Sequence, residues 1–230
     1  MAARQKIAVL DYGMGNLHSV QCALQRVAPE DEVVLAATPQ QAAGADRLLV
    51  PGVGAIRDCM AGFVDAGFEP LLRGAIDAGV PVLGVCVGMQ LMMRRSEENN
   101  GVDCLGLFPE PVKFFGSDLY ETGTDGARGS RLGAGGSRLK VPHMGWNQVS
   151  QTRAHPLWAG IDDGSRFYFV HSYYVPADDN ASIAGRTDYG VSLAAAVARD
   201  NVFATQFHPE KSADAGLLLL KNFVGWNGKA

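Results

Sequence analysis

The chain has 230 residues, 47% of them hydrophobic and 19% charged, which is enough to bury a sizeable core and suits one large α/β domain over residues 1–230. A net charge of -4 without any basic block excludes nucleic acid as the main partner. Residues 1–6 lack the apolar core of a secretory signal, and no apolar run approaches the ~20 residues that span a bilayer, so a soluble cytoplasmic protein without a membrane partner is expected.

In chain order, residues 6–11 form a short apolar run that predicts a strand. It ends in Tyr12-Gly13-Met14-Gly15-Asn16, and a helical pattern follows through Leu17, Val20, Leu24 and Val27. Residues 32–37 predict a second strand, with Thr38 as the N-cap of a helix opened by Pro39. Residues 47–50 predict a third, delivered into Pro51-Gly52-Val53-Gly54, and helical patterns fill 55–78. A buried strand over 80–85 then leads through Cys86 into helical spacing over 89–93. Repeated β-α units of this size predict an open, doubly wound, mostly parallel sheet whose ligands gather beyond the carboxyl ends of its strands.

Beyond Pro109 the pattern becomes β-rich, with strands expected over 112–115, 141–149, 167–175, 182–186, 191–199 and 202–207, most of them antiparallel. Arg199-Asp200-Asn201 reads as a hairpin turn, and Ser212 as the cap of a closing helix that runs to Trp226. The Gly/Ser-rich stretch 116–138 has no periodicity and reads as a mobile loop insertion.

Chemistry concentrates at Gly84-Val85-Cys86-Val87-Gly88 and at His208-Pro209-Glu210. A cysteine between a strand and a helix is the setting of a nucleophile elbow: flanking glycines permit a sharp turn, and the helix behind points N–H groups at the sulfur, favouring thiolate. His208 and Glu210, two apart at a strand end, would share one face, and Pro209 keeps His208 out of the helical region. A carboxylate on one imidazole nitrogen fixes the tautomer and leaves the other to exchange a proton with sulfur. The bland alternative, a buried cysteine serving as a small core residue, does not account for the distant His-x-Glu.

The glycine pairs Gly13-Met14-Gly15 and Gly52-Val53-Gly54 do not complete a dinucleotide fingerprint, and no Walker lysine appears. A better use of 51–54 is as a backbone N–H source: Val53 and Val87 would supply the two halves of an oxyanion hole. The four cysteines, Cys22, Cys59, Cys86 and Cys104, lack CxxC spacing, so neither a metal site nor a disulfide is expected, and no cofactor is called for.

Gly84-Val85-Cys86-Val87-Gly88-Met89-Gln90, taken with Gln206-Phe207-His208-Pro209-Glu210, resembles the class I (triad) glutamine amidotransferases. Within that class, residues 140–147, 168–173 and 208–212 are similar to the glutaminase subunits of imidazole glycerol phosphate synthases. The likeness runs from Lys6 to about Gly225, and its most specific part is Pro142-His143-Met144-Gly145-Trp146-Asn147.

The resemblance implies a flavodoxin-like sheet with an added antiparallel part, and a catalytic Cys86, His208 and Glu210. It implies L-glutamine held by Gly52, Gln90, Glu98, Ser172 and Tyr173, with Glu98 facing the α-ammonium. A (β/α)8 cyclase/synthase subunit would dock as heterodimer partner on Asn16, Met144, Trp146, Tyr168 and Lys211, and would receive ammonia through a channel. Spacing alone would leave Glu98 a solvated charge, and without the resemblance Met144 and Trp146 divide evenly between core and surface. His143, His155 and His171 receive no role. The elbow carries Val87 where a bulkier aliphatic is usual, and 116–138 is longer than usual. Another synthase, of the anthranilate or guanylate type, a stand-alone cysteine hydrolase and a non-catalytic binding module remain the competing readings.

Overall fold

The computed structural model describes residues 4–120, 137–178 and 180–229. The N-terminal half alternates β1 (Lys6–Leu10), α1 (Leu17–Val27), β2 (Glu32–Ala36), α2 (Pro39–Ala42), β3 (Arg47–Val50), α3 (Ile56–Asp65), α4 (Phe68–Asp77), β4 (Val82–Val85) and α5 (Val87–Leu91). Then come β5 (Arg95–Ser96), β6 (Val102–Asp103), β7 (Pro111–Phe114), β8 (His143–Gln148), β9 (Ser150–Gln151), β10 (Arg166–His171), β11 (Tyr173–Tyr174), β12 (Ile183–Asp188), β13 (Ser192–Arg199), β14 (Val202–Thr205) and α6 (Ala213–Gly225).

The main sheet has the order β2-β1-β3-β4-β14-β13-β12-β9. Its first five strands are parallel, and the other three are added antiparallel. Strands β1, β3, β4 and β14 are buried almost throughout, as apolar runs covered on both faces must be. Their carboxyl ends deliver Asp11, Pro51, Cys86 and Gln206 to one edge of the sheet. Outside it, β10 pairs with β8, and β11, β7, β5 and β6 form a small sheet beside that edge. Among the described residues no helix is long and apolar enough to cross a membrane.

Several expectations need correction. The helical stretch 55–78 is two helices, broken at Gly67, whose φ of 76° only glycine adopts cheaply. The strand expected over 167–175 stops at His171, because Tyr173 and Tyr174 leave β8 to pair with β7. The strand expected over 202–207 is parallel to β4 and ends at Thr205. Ser212 precedes α6 but makes no capping bond; its Oγ donates to the His208 carbonyl at 2.6 Å and accepts from the Tyr168 N–H at 2.9 Å.

Thr38 caps α2 as expected. The 199–201 turn also forms as expected, with Asp200 at a φ of 51° and Arg199 paired to Val202. The loop insertion falls largely on residues 121–136, outside the described residues. Its described ends are not featureless: Tyr120 bridges Arg138, and Leu119 is buried with Phe115 and Leu193.

Candidate active site

The Val85-to-Val87 turn places Cys86 in a conformation that L-residues avoid, φ 56° and ψ -112°. The sequence assigned the sharp turn to the flanking glycines; the structure puts it on the cysteine itself. The glycines supply space instead. A Cβ at Gly88 would lie 2.0 Å from the Val50 carbonyl oxygen, and one at Gly84 would lie 2.9 Å from Ala204 Cβ. The Cys86 N–H donates to the Thr205 carbonyl at 2.7 Å, which anchors the elbow to β14. The helix expected behind it, α5, is five residues long.

His208 and Glu210 meet by a different route from the one expected. His208 is extended, but Glu210 lies on a 3-10 turn, Pro209–Lys211, rather than on the strand, and the turn brings Glu210 Oε1 to 2.9 Å from His208 Nδ1. Both side chains are almost completely buried. Nε2, the ring nitrogen left for Cys86, has no well-formed hydrogen bond. Burial by itself would lower His208, yet the neighbouring Cys86 and the hydrogen-bonded Glu210 carboxylate outweigh it and raise His208 to about 10.

These groups open into a cavity of about 340 Å³ lined by Cys86, Gln90, Glu98, Ser172, Tyr173 and His208, with Val53, Val87 and Lys211 also on its wall. Glu98 is not the solvated charge that spacing suggested. Its Oε2 accepts the Ile56 N–H at 3.0 Å at the start of α3, where a helix N-terminus favours an anion. Tyr173 and Glu98 both line the cavity, and burial, with the charges of Glu98 and Glu97, raises the Tyr173 hydroxyl above its ordinary value. Gly52 is not on the cavity wall; it is buried against the elbow, where a Cβ would meet Gly88 N at 2.6 Å.

The Val87 N–H donates to the Gly52 carbonyl at 3.3 Å. Since a trans peptide points its C=O and N–H in opposite directions, the Val53 N–H faces away from the cavity side that Val87 addresses. Of the two expected oxyanion donors, one is occupied and the other is turned out.

Met144 and Trp146 are not core residues; they are 62% and 45% exposed. Register pairs Tyr168 with Trp146 and Val170 with Met144, so the four share the outer face of the β8-β10 ribbon, whose inner face buries His143, Phe167, Phe169 and His171. Trp146 and Tyr168 meet edge to face at 6.2 Å. Lys211 is exposed, and Asn16 precedes α1 without spending its side chain on a cap. A second cavity, of about 390 Å³, lies against this ribbon beside Met144, Trp146, Asn147 and Tyr189.

The three unassigned histidines are buried. Burial lowers His143 to about 4; burial, then the charge of Arg153, lowers His155 to about 4. Burial, then the neighbouring His143, lowers His171 to about 3, so all three are neutral. His155 caps the turn Pro156–Trp158, its Nδ1 accepting from the Leu157 N–H at 3.1 Å.

Sequence reasoning passed over Gln206. This fully buried side chain accepts from Gln90 Nε2 at 2.9 Å and approaches Cys86 Sγ with its own Nε2 at 3.7 Å. The parity of an extended segment, 206 alongside 208, was the available signal. Tyr12 was also missed: its hydroxyl donates to the Pro51 carbonyl and steadies the loop that carries Gly52.

A family described as Glutamine amidotransferase class-I matches residues 8–225. The chain is 53% identical over 225 residues to imidazole glycerol phosphate synthase subunit HisH 1 of Pseudomonas aeruginosa, covering 98% of this chain and 99% of that protein. It is 52% identical over 225 residues to subunit HisH of Pseudomonas putida, with the same coverage of each. Among solved structures, PurLQS from Thermotoga maritima superposes with a TM-score of 0.70 at 15% identity, covering 97% of this chain and 99% of that one, a likeness of fold.

Proposed function

The chain belongs to the class-I glutamine amidotransferases, and on that premise we propose that it is the glutaminase subunit of an imidazole glycerol phosphate synthase, serving histidine biosynthesis in the cytoplasm. It hydrolyses L-glutamine to glutamate and ammonia and passes the ammonia through a channel to a (β/α)8 cyclase/synthase subunit. The observation that carries this reading is Cys86, strained on its elbow and buried in the wall of a cavity, beside a buried His208 whose Nδ1 is held by Glu210.

Each group has a task. Cys86 Sγ attacks the carboxamide carbon of glutamine, and its proton goes to His208 Nε2. The imidazolium returns that proton to the departing ammonia, leaving a glutamyl thioester. Water, deprotonated by the now neutral His208, attacks the thioester; glutamate leaves and Cys86 regains its proton. Glu210 keeps the ring oriented and stabilises its charge throughout. Gly52, Gln90, Glu98, Ser172 and Tyr173 hold glutamine, with Glu98 facing the ammonium.

The tetrahedral oxyanion needs the N–H groups of Val53 and Val87, which are not both available while the Gly52 carbonyl holds Val87. Turning that peptide over carries Val53 from negative to positive φ, a conformation costly for a β-branched residue. The resting chain is therefore nearly silent. Docking of the synthase subunit on Asn16, Met144, Trp146, Tyr168 and Lys211 supplies the compulsion. The exposed aromatic and methionine pair with a flanking cation is the composition of an interface anchor and its rim.

The test is Cys86→Ala in the complex with the synthase subunit. Glutamine-dependent synthesis should vanish while synthesis from ammonium salts persists; retained glutamine turnover would refute the assignment.

A further inference from the structure

His143 and His171 take no part in the chemistry above, yet they are 3% and 6% exposed and joined to the pocket by directed hydrogen bonds. The directions follow from groups that have no choice. The Tyr173 carbonyl can only accept, so His171 Nδ1, at 2.8 Å, carries a proton and donates it. A neutral ring then has a bare Nε2, which accepts from His143 Nδ1 at 3.0 Å. His143 Nε2 is in turn bare and accepts from Asn147 Nδ2 at 3.3 Å. The Asn147 amide is itself fixed, because its Nδ2 also donates to the Asp188 carbonyl at 2.9 Å.

Ring packing holds the planes. His143 lies nearly parallel between Phe169 and Tyr189, with centroids 4.8 and 4.1 Å away, and Phe115 lies 5.3 Å from His171. At its far end the chain reaches the site. The Tyr173 carbonyl receives a second donor, Gln90 Nε2 at 3.1 Å, and that same nitrogen donates to Gln206, which approaches Cys86.

We propose that His143 and His171 are positioning residues for glutamine binding: a one-way series of donors from Asn147 through both imidazoles fixes the Tyr173 carbonyl and, with it, the Gln90 amide that borders the pocket. The inference rests on the reading of that pocket as a glutamine site. Packing alone would not select imidazole here, since an all-carbon ring would fill the same stack without the cost of burying four ring nitrogens. Tyr173 sits where the backbone crosses from β10 to β11, a place where no ladder partner in β8 holds its carbonyl.

Two measurements test it. In the full chain labelled with 15N-histidine, two-bond proton–nitrogen spectra should find both His143 and His171 protonated on Nδ1. A proton on Nε2 of His171 would overturn the inference without touching the catalytic assignment.

The second is glutaminase kinetics of the complex with the synthase subunit. His171→Phe keeps a ring but loses the donor, and should raise the KM for glutamine about ten-fold with little change in kcat, the factor carried by one lost buried hydrogen bond. His171→Asn, which places an amide N–H where Nδ1 was, should bring KM back to within about three-fold of the parent on the same grounds. A purely structural histidine predicts the reverse order, with Phe the milder change, and that order would overturn the proposal. A parent complex that turns over no glutamine would instead refute the functional reading on which it rests.

Discussion

At the residue scale, activity depends on a few atoms around Cys86. The Gly52–Val53 peptide gives a paired expectation. Val53→Pro removes the N–H, and loss of one oxyanion donor costs ~10²–10³ in kcat, so stimulated turnover should fall by that factor with a smaller effect on KM. Val53→Gly lowers the cost of positive φ, so the unstimulated rate of the isolated chain should rise. Stimulated turnover of the proline variant within a few-fold of the parent would remove Val53 from the oxyanion hole.

Glu210→Gln tests the electrostatics. His208 is held near 10 partly by the Glu210 charge, so the amide should lower it. The proton needed by the leaving ammonia is then lost at lower pH, and the alkaline limb of the kcat profile should move down by about one to two pH units. An unmoved limb would mean that another group sets it. The elbow at Cys86 and the meeting of His208 with Glu210 were legible because nucleophile chemistry demands particular residue types at particular turns. The cysteine's own strained φ and the place of Gln206 were not, since both depend on atoms brought together from β4 and β14.

At the element scale the site depends on close approach. The β-α units could be read from apolar runs and caps because each is a local pattern, and Thr38-Pro39 marks the start of α2 where the structure has it. What could not be read was how Glu210 reaches His208, because a strand and a 3-10 turn both bring residues two apart into contact.

That turn is wedged against α6, where a Cβ on Gly216 would lie 2.0 Å from the Pro209 carbonyl oxygen. Gly216→Ala should therefore displace the segment between His208 and Glu210, costing about 1–3 kcal/mol of stability by overpacking and lowering kcat as well. Thermal melting with glutaminase assays would check it. A stable variant with full activity would show that the turn tolerates movement. The break at Ser172 between β10 and β11 was equally invisible, since the run 167–175 is uniformly β-prone and only the rival partners β8 and β7 divide it.

At the scale of the whole molecule, five parallel strands deliver their loops to one edge, and the β8-β10 ribbon presents Met144, Trp146 and Tyr168 outward beside it. The overall architecture followed from the alternation of strands and helices, and the identity of the outward residues from the resemblance of 142–147. Without the resemblance the sequence left Trp146 and Met144 divided evenly between core and surface, because an exposed apolar residue reads like one inside. On this reading the chain is a cysteine glutaminase kept idle by its own Gly52 carbonyl until a synthase subunit docks. The most direct test is the rate of glutamate release from glutamine by the purified chain, alone and with saturating synthase subunit holding its ribonucleotide. The chain alone should be nearly silent and the complex strongly stimulated; a free chain as active as the complex would contradict the idle Gly52 peptide.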